Sequence, residues 1–112
     1  MAKVANRTYS RYTREAVELF AVLIREARIE RKLPAKELAE RAGISRGLLQ
    51  RIEKGGPNCS LGAVFEVAYL LGIRLFDSDE RSLASNLAMR KEKLSLLPKM
   101  ARKPVRGVDD DF

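Results

Sequence analysis

Apolar residues recur at three- and four-residue steps from Val17 onward, with Val17, Phe20, Ala21, Ile24 and Ala27 sharing one face with Arg28. Residues so spaced stack on one side of a 3.6-residue turn, which predicts an amphipathic helix from about Thr13 to about Arg31. Thr13 is placed to cap it, with Glu15 in the first turn, where a helix end favours negative charge. Pro34 ends this pattern and opens the next, since a first helical turn has no use for the N–H that proline lacks; it also pushes Leu33 toward an extended backbone. Leu38, Ala39 and Ala42 form the predicted buried stripe of a short second helix, and Gly43 supplies the positive φ of a tight exit. Ser45 caps a third helix with Leu48, Leu49 and Ile52 on its apolar face.

Gly55-Gly56-Pro57-Asn58 is the strongest loop signal of the chain. After it Ser60 caps a fourth helix carrying Leu61, Val64, Phe65, Ala68 and Leu71, and Gly72 ends it. Ile73 to Phe76 is open to a short strand reading. Asp77, Ser78, Asp79 and Glu80 then give an acidic, cap-rich start to a fifth helix, which Leu83, Leu87, Leu94 and Leu97 carry to about Leu97 before Pro98 stops it. Its middle, Arg90-Lys91-Glu92-Lys93, is polar. The pattern divides the chain into a flexible arm (1–12), a helical domain (13–75), a C-terminal helical extension (76–98) and a charged tail (99–112). That tail runs from Lys99, Arg102, Lys103 and Arg106 to Asp109-Asp110-Asp111-Phe112 and cannot bury enough apolar surface to fold alone.

Charge changes the picture more than composition does. The net charge is +7, and residues 1–60 hold thirteen Lys and Arg against seven Asp and Glu, whereas the remainder holds nine against eight. Positive charge is thus concentrated on the half containing the short helices, which points to a polyanionic partner. Cys59 is the single cysteine and histidine is absent, which removes an intrachain disulfide, an ordinary zinc site and the commonest general base. No glycine-rich phosphate loop follows a strand, no nucleophile–base pair is visible, and the terminal aspartates read as a solvated run rather than a metal cluster. No enzyme, metal or cofactor is expected. No apolar stretch approaches the ~18 residues of a membrane span, and Met1 to Asn6 lacks a signal-peptide core, so a cytoplasmic chain without a membrane partner is expected.

The second and third predicted helices carry the chemistry. A small residue at Ala39 lets two helices cross closely, Gly43 permits the reversal, and Leu49 and Ile52 anchor the third helix, leaving Ser45, Arg46, Gln50 and Arg51 outward. A helix presented in this way fits the major groove of DNA, with its unpaired N-terminal N–H groups favouring phosphate.

From Phe20 to Leu75 the chain resembles the Cro/C1-type helix-turn-helix family of phage repressors and bacterial regulators. The matching residues include Ile24-Arg25-Glu26-Ala27-Arg28, the run Glu37 to Ser45, Arg51-Ile52-Glu53-Lys54-Gly55, Ser60-Leu61 and Leu71-Gly72-Ile73. The resemblance implies an all-α fold: a five-helix Cro/C1-type (lambda repressor-like) helix-turn-helix domain with an extra C-terminal helix and flexible termini. It also implies sequence-specific binding of double-stranded DNA by a transcriptional regulator. Residues matching Ser45, Arg46, Gly47 and Arg51 face base edges or nearby phosphates in the family. A guanidinium at Arg46 or Arg51 can fork onto guanine O6 and N7, worth about 1–3 kcal/mol of discrimination. Gln50 either reads adenine or stays solvated, and Leu48 either touches a thymine methyl or packs inward. Lys54 and Asn58 match phosphate-holding positions, Lys36 and Arg41 are further phosphate candidates, and Arg28 with Glu53 matches a structural ion pair. Two departures stand out. Pro34-Ala35 replaces the usual Thr-Gln, so its phosphate contact is lost or passes to Lys36. Gly47 presents no side chain where many relatives read a base.

Beyond Gly72 the layout resembles HipB-like antitoxins, through the Leu-Gly helix exit, the acidic Asp77–Glu80 link, the Leu97-Pro98-Lys99 stop and the acidic-Phe terminus. That likeness implies a homodimer on a pseudopalindromic operator, repression of its own operon, and a HipA-type Ser/Thr kinase toxin as partner. The Leu83, Leu87, Leu94 and Leu97 stripe is then a dimer or partner contact; alternatively it packs on the chain's own core. A different class of function is an adaptor that uses the same fold as a protein-binding scaffold.

Overall fold

The computed structural model describes residues 8–99, and five α-helices without a strand make up the secondary structure of those residues. They are α1 (Arg11–Glu30), α2 (Ala35–Ala42), α3 (Arg46–Glu53), α4 (Leu61–Leu70) and α5 (Glu80–Ser95). Over the described residues the chain is all-α. It separates into two compact units that meet between Asp77 and Ser78. Most of the arm and the tail after Lys99 lie outside the described residues.

In the first unit, α1 begins at Arg11, two residues before the predicted start. Ser10, not Thr13, is the cap: its Oγ accepts the Thr13 backbone N–H at 3.1 Å while its hydroxyl donates to Thr13 Oγ1 at 3.0 Å. Two hydroxyl residues three apart compete for one role, and the earlier one satisfies an otherwise unpaired donor of the first turn. α1 leaves through Lys32, which adopts φ +55, and Pro34 is the N-cap of α2, one residue ahead of the first-turn position that sequence suggested.

The core is built by one face of each helix α1 to α4. Ile24 of α1, Leu38 and Ala39 of α2, Leu49 and Ile52 of α3, and Val67 with Leu71 at the end of α4 are buried together. Residues this enclosed cost about 2–5 kcal/mol when truncated to alanine. Ala39 sits where α2 meets its neighbours, and its small side chain permits the close approach. No strand forms at Ile73–Phe76: Leu75 makes only an isolated bridge, and the turn at Phe76 and Asp77 takes φ +54 and +56. The Phe76 ring meets Phe65 edge-on at 6.2 Å between centroids, which fixes that turn on α4.

The second unit is organised around α5. Asp79 and Ser82 form a reciprocal capping box, with Ser82 N–H donating to Asp79 Oδ1 at 2.9 Å and Asp79 N–H donating to Ser82 Oγ at 3.0 Å. No residue of α5 is buried: Leu83 is half-buried, and Leu87, Leu94 and the following Leu97 are exposed. Within this unit Leu87, Leu94 and Leu97 are left uncovered.

Candidate nucleic-acid interface

The turn between α2 and α3 follows from local chemistry. Gly43 takes φ +71, and its N–H donates to Glu40 O at 3.1 Å while Ile44 N–H reaches Ala39 O at 3.0 Å, closing the end of α2. An added Cβ there would meet no atom within 4 Å, so the left-handed backbone rather than crowding calls for glycine. Ser45 then caps α3 by accepting the Leu48 N–H at 3.0 Å. Leu49 and Ile52 pin α3 to the core, which leaves its opposite side open.

On that open side Ser45, Arg46, Gly47, Gln50 and Arg51 are all exposed. Leu48 is half-buried and packs against the core with part of its side chain still open. Gly47 leaves a bare stretch of backbone beside two polar groups: a Cβ built on it would lie 3.9 Å from Ser45 Oγ and 4.0 Å from an Arg51 Nη. Those are ordinary contact distances. Nothing in the packing excludes a side chain at Gly47.

Beside this face, α1 and the start of α2 join α3 around a hollow of about 450 Å³. Arg25, Arg46, Gln50 and Lys54 line it, with Ala35 and Gly47 supplying the room. Arg25, Arg46 and Lys54 have no ion-pair partner among the described residues, and neither does Lys36 or Arg51. Arg25 was not among the residues that spacing singled out. Its membership depends on the crossing of α1 over α3, and a one-dimensional pattern carries no such information.

Two of the phosphate candidates have protein partners. Arg41 is held by Glu37 in an exposed i,i+4 ion pair, an interaction worth only about 0.3–0.5 kcal/mol and easily exchanged. Asn58 Oδ1 accepts from the Tyr9 hydroxyl at 3.2 Å, which leaves its amide N–H groups as donors. Lys36 and Lys54 are exposed at the start of α2 and the end of α3.

Arg28 and Glu53 set the position of α3 relative to α1. Arg28 Nε and Nη2 donate to the two Glu53 oxygens at 2.6 and 3.0 Å, and Arg28 Nη1 donates to Leu33 O at 3.1 Å. The pair is mostly withdrawn from water, with side chains 17 and 11% exposed. The hydrogen bonds that Arg28 donates to Glu53 raise the Arg28 pKa above its ordinary value, burial opposes the rise, and Coulomb attraction to Glu53 adds to it. A planar fork on a carboxylate fixes orientation as well as distance, so the pair also locks the angle at which α3 is presented.

No helix among the described residues is long and apolar enough to cross a membrane, and no cluster of His, Cys, Asp or Glu among them could hold a metal ion. A protein-family model described as Helix-turn-helix matches residues 24–77, the segment from the middle of α1 to the turn after α4. No curated protein and no solved structure matches the chain.

Proposed function

Residues 24–77 belong to the Cro/C1-type helix-turn-helix family of DNA-binding transcription regulators, and on that footing we propose that the chain is a dimeric repressor reading a pseudopalindromic operator through α3. The observation that carries this reading is the open face of α3, where Arg46, Gln50 and Arg51 are exposed beside a bare Gly47 backbone and the two arginines have no ion-pair partner among the described residues. Arg46 and Arg51 read guanine edges, Gln50 contributes an adenine contact, and Ser45 and the Gly47 backbone approach the groove. Lys36, Lys54, Asn58 and Arg41 hold phosphates and set the register without specifying sequence. Two recognition helices spaced about 34 Å apart give the operator its two-fold symmetry.

Selection of binding sites from a random duplex library, followed by footprinting, tests this. Two inverted half-sites one helical turn apart are expected; a pool without enrichment refutes sequence-specific reading. The adaptor alternative predicts no steep loss of duplex affinity with salt, whereas a chain that neutralises several phosphates loses affinity steeply. Arg25, Arg46 and Lys54, which line one hollow and have no ion-pair partner among the described residues, favour the DNA reading.

The antitoxin role extends this reading. It is supported by the layout after Gly72, where a capping box opens α5 and the helix ends just before Leu97-Pro98-Lys99. A HipA-type Ser/Thr kinase is the partner on this reading, and the chain restrains it while repressing the shared operon. Mixing the full chain with such a kinase encoded beside it and measuring phosphoryl transfer gives the test. Inhibition at stoichiometric chain supports the role, and undiminished kinase activity refutes it.

A further inference from the structure

Two exposed helical faces, one in each compact unit, carry matching patterns with opposite charge. On α1, Tyr12, Glu15, Leu19, Val22, Glu26 and Ile29 follow alternating steps of three and four residues, the spacing that keeps one seam turned toward a partner helix. This seam lies opposite Ala21 and Ile24, and Leu19, Val22 and Ile29 are 60, 53 and 55% exposed. On α5 and the turn that follows, Leu83, Leu87, Arg90, Leu94 and Leu97 obey the same alternation. Leu87, Leu94 and Leu97 are 55, 68 and 49% exposed.

Each seam holds an uncompensated charge among apolar neighbours. Glu26 sits between Val22 and Ile29 and has no ion-pair partner among the described residues; Glu15 is already held by Arg11. Arg90 sits between Leu87 and Leu94, donates to the neutral Asn86 Oδ1 at 3.3 Å and has no ion-pair partner among the described residues. Pairing α5 with α5 about its centre would set Arg90 against Arg90, and pairing α1 with α1 about Glu26 would set carboxylate against carboxylate. Cross-pairing alone neutralises both.

We propose that the α1 seam of one chain docks antiparallel on the α5 seam of a second copy, twice per dimer, with Glu26 facing the second copy's Arg90. In this register Val22 lies opposite Leu94, Leu19 opposite Leu97 and Ile29 opposite Leu87, because steps of four and three along α1 meet steps of four and three running the other way along α5. A parallel arrangement breaks that match. Both apolar segments, Leu19 to Ile29 and Leu87 to Leu97, span about 15 Å at 1.5 Å per residue. Lys91 and Lys93 flank the α5 seam, while Glu18 and Glu30 flank that of α1, so the rims are complementary as well. A two-fold axis repeats the contact and closes the assembly at two chains.

The inference rests on the dimer reading above and names the faces that form it. Sedimentation equilibrium of the full chain, with helix content checked by circular dichroism, provides the test. The unmodified chain sediments as a dimer, and Glu26→Arg or Arg90→Glu alone each weakens self-association by about tenfold or more through like-charge repulsion. An equimolar mixture of the two single variants recovers the dimer, because each introduced charge then meets its opposite across the interface. Single variants that associate as well as the unmodified chain overturn the pairing while leaving a dimer formed elsewhere. Recovery in the double variant but not in the mixture places the contact within one chain and overturns it too. A chain that remains monomeric at about 100 µM, far above the μM range of ordinary specific association, removes both the pairing and the dimer reading. Neither residue is on α3, so intact half-site binding in every variant keeps these outcomes separate from the fate of the DNA reading.

Discussion

Replacing Arg28 by alanine strips Glu53 of two charge-assisted hydrogen bonds, of 2.6 and 3.0 Å, and takes a donor from Leu33 O. The stranded carboxylate is only 11% exposed, so water replaces little of what is lost. Breaking a fully buried pair costs about 3–5 kcal/mol; the residual exposure of this one reduces the expectation to about 2–3 kcal/mol. At roughly 4–8 °C per kcal/mol for a domain of this size, Tm falls by about 8–24 °C. Arg28→Met combined with Glu53→Leu loses much less, since an apolar pair leaves no charge without a partner. The pH dependence has a definite sign. A pKa raised in the folded state gives stability that is whole below the unfolded value and lost as pH rises through the folded one. For Arg28, already strongly basic and raised further by Glu53, that window lies above any working pH, so its contribution is constant there. Thermal melts followed by circular dichroism decide the matter. A Tm for Arg28→Ala within about 2 °C of the unmodified chain refutes the claim that this pair holds α3 against α1.

Three further outcomes follow from the same geometry. Gly47→Ala stabilises α3 by about 0.5–1 kcal/mol, since its Cβ meets nothing closer than 3.9 Å, yet weakens operator binding if backbone approach is the role of that glycine; urea melts and duplex titrations read the two effects separately. Lys54→Ala and Arg25→Ala each lower affinity for all duplexes alike and reduce the slope of log affinity against log salt by about 1, as loss of a phosphate contact requires. Asp79→Ala removes the capping box of α5, costs about 1 kcal/mol and lowers its amide-exchange protection while that of α3 stays unchanged.

The helix-turn-helix was legible because its signals are local. Gly43 and Ser45 act within three or four residues of themselves, and Leu38, Leu49 and Ile52 announce the buried faces by spacing alone. The start of α1 was not legible, because Ser10 and Thr13 are equally competent caps in one dimension and only the folded turn chooses between them. The hollow that draws in Arg25 was also hidden, since it arises from the crossing of α1 and α3 over the small Ala35 and Gly47. On α1 the inner stripe from Val17 to Ala27 accounted for the helix, and the second seam through Leu19, Val22 and Ile29 emerged only when exposure showed it uncovered. The short strand reading of Ile73–Phe76 failed because apolar residues that close a turn onto Phe65 look the same in sequence as residues that pair in a sheet.

Base reading by α3 through Arg46 and Arg51 is open to direct measurement. Its most direct measurement is the affinity ratio between a selected operator and a scrambled duplex, at one salt concentration, for the unmodified chain and for Arg46→Ala and Arg51→Ala. Each substitution lowers this ratio by about 5–150-fold, the equivalent of about 1–3 kcal/mol, with binding to the scrambled duplex falling much less. A ratio unchanged in both variants would contradict it.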